Sequence, residues 1–69
     1  MKTRIQAISI KISDSILTAF KRMDVTGKKL LLVFYKEHFK GIISIGDIQR
    51  AIIKQIDLNQ QIATILRKD

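Results

Sequence analysis

Cysteine, proline and tryptophan are all missing from this chain of 69 residues, and glycine occurs only three times. Without cysteine, neither a disulfide nor a thiolate metal site can staple the core. A chain of this length buries only about 60% of the surface its unfolded form exposes. Self-association is then the remaining route to further burial. The lack of cysteine is compatible with a cytoplasmic location. Long hydrophobic runs are missing too. The first apolar stretch, Ile5 to Ile12, is broken by Gln6, Ser9 and Lys11, so it does not read as a signal peptide. No run approaches the roughly 20 apolar residues of a membrane span.

Acidic residues are scarce as well, with 6 Asp and Glu against 13 Lys and Arg and a net charge of +7. Such a balance suits an anionic partner, either a phosphate-bearing small molecule or nucleic acid. The basic residues are scattered, however, in blocks no longer than Lys28-Lys29. A nucleic-acid surface would gather them on one face beside aromatic side chains, and Tyr35 and the three phenylalanines have apolar roles available.

Ile8, Ile10 and Ile12 alternate with Ser9 and Lys11, which predicts a short strand with one buried face. Ser13 or Asp14 can then cap a helix in which Ile16, Leu17, Phe20 and Met23 recur at helical spacing, while Thr18, Lys21 and Arg22 face out. Gly27 suits its end. The run LLLVFY, Leu30 to Tyr35, predicts a strand buried on both faces, with Lys36 to Phe39 as a turn and Lys40 to Ile45 as the returning strand of a hairpin. A second amphipathic helix is expected from about Asp47, with Ile48, Ala51, Ile52 and Ile56 inward and Gln49, Arg50 and Lys54 outward. After a break at Asp57 to Asn59, a last short helix would turn Ile62, Ile65 and Leu66 inward and set Arg67 and Lys68 at its negative end.

The order strand, helix, strand, strand, helix, tail helix describes one α/β unit, a small three-stranded sheet with two amphipathic helices. Both helices on one sheet face would leave other apolar surface bare. The stripe Phe20, Met23, Ile52, Ile53 and Ile56 therefore reads as core plus dimer surface, and a second copy of the chain is the expected cover.

The stretch GIISIGDIQR, Gly41 to Arg50, carries the candidate chemistry. Ser44 and Asp47 fall at a strand end and a first helical turn, where unpaired amides and a partial positive charge favour a phosphate. Ser44 can donate to that phosphate, Asp47 can accept from ribose hydroxyls, and Arg50, one turn on, can add charge. The same Ser-x-x-Asp spacing fits a capping box that needs no ligand, and by spacing alone this is the commoner arrangement. Gly41 allows close approach of a base or a neighbouring strand, or else a β-bulge. His38, the single histidine, sits beside Glu37 in the hairpin turn and reads as surface. Asp14, Asp24, Asp57 and Asp69 fall at helix ends, where capping and solvation account for them. With no nucleophile-base-acid set and no metal-ligand spacing, catalysis is not expected.

From about Ile10 to Leu66 the sequence resembles a CBS domain (cystathionine β-synthase domain), a small regulatory module found in pairs. The likeness is sharpest over Gly41-Ile42-Ile43-Ser44-Ile45-Gly46-Asp47-Ile48, with support from Ser15-Ile16-Leu17-Thr18-Ala19-Phe20 and Leu31-Leu32-Val33. The tail, from Gly46 through Asp57-Leu58 to Ile65-Leu66, resembles CBS domains attached to bacterial sugar-phosphate nucleotidyltransferases. The resemblance implies one CBS domain over residues 1–69, half of a Bateman-type pair. It further implies an adenine nucleotide (AMP, ADP or ATP) in the cleft between two such motifs, with Ser44 and Asp47 as phosphate and ribose contacts, and modulation of a catalytic domain. The candidate ligand-binding residues are Gly41, Ile43, Ser44, Asp47 and Arg50. Two features depart from the family pattern: Lys36-Glu37-His38 replaces the usual Asp-Gly hairpin turn, and Phe34-Tyr35 replaces a frequent acidic residue at the strand end. A single motif is present where the module needs two, so a homodimer or another segment must complete it. The alternative is a homodimerisation domain of the same fold that holds no nucleotide.

Overall fold

The computed structural model describes residues 7–66. Its elements follow the expected order: β1 (Ser9–Lys11), α1 (Ile16–Thr26), β2 (Leu30–Tyr35), β3 (His38–Ser44), α2 (Ile45–Ile53) and a 3-10 turn (Ile62–Thr64). The three strands form one mixed sheet in the order β1-β2-β3, with β1 parallel and β3 antiparallel to the central β2. Both helices lie against one face of it. Ile10, Leu31, Val33 and Ile43 from the sheet meet Ile16, Ala19, Met23 and Ile48 from the helices in the core, with Ile62 of the tail beside them.

The strand Leu30–Tyr35 is covered on one face, not on both. Leu31 and Val33 are buried, whereas Leu32 and Phe34 are half-buried and Leu30 and Tyr35 exposed. The helices fill only one side, so alternate side chains of the apolar run face outward. Ile42 and Phe39 of β3, opposite Leu32 and Phe34, extend this bare face and are 52% and 56% exposed.

The caps also differ from expectation. Ser15, not Ser13 or Asp14, starts α1, its hydroxyl accepting from the Thr18 amide at 3.0 Å. Ser13 and Asp14 belong to the turn after β1, where the Asp14 amide donates to the Lys11 carbonyl and the Asp14 carboxylate accepts from the Lys11 amide. Arg22, expected to face out, donates its guanidinium to the Ser9 carbonyl and ties α1 to β1. Gly27 ends the helix with φ of 70°. Within the apolar stripe Met23 is buried, while Phe20, Ile52 and Ile53 are exposed.

The hairpin turn is two residues long, Lys36-Glu37, because His38 already pairs with Tyr35 and Phe39 with Phe34. The rings of Phe34 and Phe39 meet edge to face at 5.7 Å. Lys36, the first of the two turn residues, accordingly takes a positive φ of 56°, a position that two-residue hairpins usually give to glycine, asparagine or aspartate. Between the Phe34 and Val33 pairs the register shifts, leaving Lys40 as the extra residue of a bulge next to Gly41.

α2 begins at Ile45, two residues before the expected start, because Ser44 is its cap and the Ile45 amide donates to the Lys29 carbonyl at 2.8 Å. It closes with a Schellman pair: Ile56 amide to Ala51 carbonyl at 2.9 Å and Gln55 amide to Ile52 carbonyl at 3.0 Å. The tail makes one 3-10 turn instead of a helix, since its backbone is strapped across the start of α1. The Ile16 and Leu17 amides donate to the Gln60 and Leu58 carbonyls, and the Ile62 and Ala63 amides donate to the Asp14 and Ile12 carbonyls. Ile62 is fully buried there, with Ile65 and Leu66 packed on the core. Arg67, Lys68 and Asp69 lie outside the described residues.

Candidate functional site

Strand β3 delivers Ser44 to the point where the chain turns into α2, and the helix then sets Asp47 and Arg50 one behind the other on a single face. The three side chains are joined. The Ser44 amide donates to Asp47 Oδ2 at 2.8 Å, the Ser44 hydroxyl donates to the same oxygen at 3.1 Å, and the Asp47 amide donates back to Ser44 Oγ at 3.3 Å. This is a capping box. The other carboxylate oxygen, Oδ1, accepts from the Arg50 guanidinium at 2.5 Å.

The Asp47 side chain is only 15% exposed, against 52% for Arg50. Burial pushes the carboxyl pKa up, but the amide and hydroxyl of Ser44 and the cation of Arg50 together outweigh it and hold the group below its ordinary value of 3.8. Asp47 is therefore a stable anion at neutral pH. Gly46 sits between its partners, for a Cβ there would stand 3.6 Å from both Arg50 Nη1 and Ser44 Oγ.

The other candidates lie elsewhere. Ile43 is buried in the core, so a ligand would meet its backbone and not its side chain. Gly41 lies beside the bulge with φ of 151°, and the direction a Cβ would take is filled by Leu66. Thus Ser44, Asp47, Gly46 and Arg50 form a cluster at the start of α2, while Gly41 and Ile43 serve the sheet and core behind it.

Beside Asp47 and Arg50, a cleft of about 330 Å³ runs between α2 and the tail, lined also by Ala51, Lys54, Ile56, Thr64 and Ile65. Lys54 extends the polar face of Asp47 and Arg50 at helical spacing, a signal that the sequence carries. Thr64 and Ile65 reach the cleft only because the tail is strapped across α1, and no local pattern in the sequence announces that.

Among the described residues no group of His, Cys, Asp and Glu is placed to hold a metal ion, and no helix is long and apolar enough to cross a membrane. No family model matches the chain, and no curated protein matches it. Among solved structures, the crystal structure of a CBS domain superposes with a TM-score of 0.76 at 23% sequence identity, over 90% of this chain and 50% of that one. The chain thus spans half the length of the solved chain it matches. Strand order, helix placement and this superposition agree: the protein has the CBS-domain fold.

Proposed function

We propose that the chain is a regulatory, ligand-sensing CBS module which pairs with a second copy, binds an adenine nucleotide in the cleft between the copies and modulates an associated enzyme. The carrying observation is the joined Ser44, Asp47 and Arg50 at the start of α2 in a chain of this fold. The Ser44 hydroxyl and the Gly46 amide suit a phosphate, the Ile45 and Asp47 amides being already held by the Lys29 carbonyl and Ser44 Oγ, and the Asp47 carboxylate is placed beside them to take ribose hydroxyls in exchange for its present bonds. The bare sheet face with Phe39 and Ile42 supports pairing. The likeness of the tail to CBS domains attached to sugar-phosphate nucleotidyltransferases supports such an enzyme as the regulated partner, and the lack of cysteine is compatible with a cytoplasmic setting.

Thermal melting with millimolar AMP, ADP and ATP tests this reading. A nucleotide present at about 100 times its Kd stabilises by about 2.7 kcal/mol, a readily measured rise in Tm. Asp47→Asn, whose carbonyl can still accept from the Ser44 amide, should keep the fold and lose the rise. Melting unchanged by every adenine nucleotide overturns nucleotide sensing.

One observation favours the second reading, a homodimerisation domain that holds no nucleotide: Ser44, Asp47 and Arg50 already satisfy one another. It predicts stability that rises with protein concentration and ignores nucleotides.

A further inference from the structure

We propose that the groove between α1 and the entry to β1 is a docking site for an acidic amphipathic helix of a partner protein, whose carboxylates pair with Lys21 and Arg22 and whose apolar side chains lie against Val25. This groove is separate from the start of α2 and from the bare sheet face, and it needs neither a nucleotide nor a second copy of the chain.

The groove has a volume of about 420 Å³ and is lined, among the described residues, by Ala7, Thr18, Lys21, Arg22, Val25 and Thr26. Thr18, Lys21, Arg22 and Val25 recur at spacings of three and four, so the groove follows the axis of α1 for about 10 Å. Its two threonines have their hydroxyls engaged within α1. The Thr26 hydroxyl donates to the Arg22 carbonyl at 2.8 Å, and the Thr18 hydroxyl shares a hydrogen bond with that of Ser15 at 2.8 Å. Val25 is 84% exposed. A β-branched residue lowers helix propensity, and here it buries almost nothing in return; a partner covering it supplies the missing burial.

The rim of the groove is positive. Neither Lys21 nor Arg22 has a carboxylate partner among the described residues. Asp24, the one acidic residue of α1, lines a separate depression with Phe20 and Lys21. Arg22 is held in place by donating to the Ser9 carbonyl, and its guanidinium has further N–H groups for a carboxylate.

Charge then selects the occupant. A second copy also carries a net charge of +7, which disfavours its approach to a positive groove. Single-stranded nucleic acid stacks its bases on aromatic rings, and the groove has none among the described residues. Carboxylates beside apolar side chains match both the rim and the floor, and a helix lying along α1 presents them at the same spacings of three and four.

The test is an amide NMR titration of the full chain with a synthetic peptide helix that carries leucine on one face and glutamate beside it. The same peptide with glutamine in place of glutamate is the uncharged control. Saturable shifts at Ala7 and residues 18–26, absent with the control, are expected. Lys21→Glu should weaken binding about tenfold by setting like charges together, and Val25→Ser about fivefold by removing the apolar contact. Lys36→Glu, the same charge change in the hairpin turn, should leave the affinity within about twofold. No saturable shift, shifts centred on the sheet face or α2, undiminished binding in Lys21→Glu or Val25→Ser, or equal losses in Lys21→Glu and Lys36→Glu overturns the docking site. Oligothymidylate moving the same amides more strongly than the peptide would give the groove to nucleic acid and overturn it too. The same amides moving with protein concentration alone would give it to a second copy, with the same consequence.

Discussion

Leu66 stands in the space that Gly41 leaves open: a Cβ built on Gly41 would lie 3.6 Å from Leu66 Cδ1. Gly41 is also the residue after the bulge, opposite Val33 on the buried face of the sheet, with φ of 151°. The first glycine of the GIISIGDIQR stretch therefore has packing work independent of any ligand. It lets the strand kink and lets the tail close over the core.

Gly41→Ala should destabilise the fold by about 1 kcal/mol, chiefly through the backbone conformation, since the Leu66 contact is of ordinary length. Gly41→Val should cost more, because its added methyls meet Leu66 as well. Urea unfolding of both variants checks the order. Equal stability of the valine variant and wild type would mean that neither the φ angle nor the Leu66 contact constrains this position.

Gln55 is the C′ residue of α2 and has φ of 62°, a position that helices usually give to glycine. Gln55→Gly should therefore stabilise the chain by about 0.5–1 kcal/mol despite removing a side chain. Gln55→Ala, which keeps the Cβ, should gain nothing. Lys36, with φ of 56° in the hairpin turn, gives an independent case, and Lys36→Gly should move the same midpoint in the same direction.

The element order and the inward side chains Ile10, Ile16, Met23 and Ile48 were legible because strand and helix periods mark them along the chain, whereas Ile43, read as a ligand contact, proved to be core. What was not legible depends on contacts between distant segments. Ser15 caps α1 while Asp14 serves the preceding turn, a choice made by the tail carbonyls of Leu58 and Gln60 docking on the helix start. The one-sided burial of LLLVFY follows from where the helices pack, which the strand's own composition does not encode. At the site, the Ser44 and Asp47 spacing announced the capping box, and Arg50 its neighbour. Lys54 was visible only as an outward helix residue, and Thr64 gave no signal.

Acid should expose the Asp47 network. A carboxyl whose folded pKa lies below its unfolded value binds protons more weakly when folded, so falling pH favours the unfolded chain. The contribution is complete above the ordinary value of 3.8 and is lost as pH falls through the lower folded value. Asp47→Asn should lower stability at pH 7 and flatten the acid limb below about pH 4 in Tm against pH. High salt should weaken the exposed Arg50 contact more than the two bonds from Ser44, so the difference should shrink without vanishing. An acid limb of the same steepness in Asp47→Asn would assign it to other carboxylates.

For the proposed pairing of two copies there are two candidate apolar surfaces: the sheet face with Leu30, Phe39 and Ile42, and the helix flank with Ile52 and Ile53. The flank holds the most exposed isoleucine among the described residues, Ile53 at 78%, but it lies among Arg50, Lys54 and Gln55 on an otherwise polar helix end. On the sheet face, Leu30, Phe39 and Ile42 adjoin the half-buried Leu32 and Phe34 across two paired strands, a continuous patch of the kind that marks an interaction surface. Ile42→Lys should therefore convert a dimer into a monomer by sedimentation and make Tm independent of protein concentration. Ile53→Lys should leave the mass unchanged. The opposite result would place the contact on the helices and leave the sheet face for another partner.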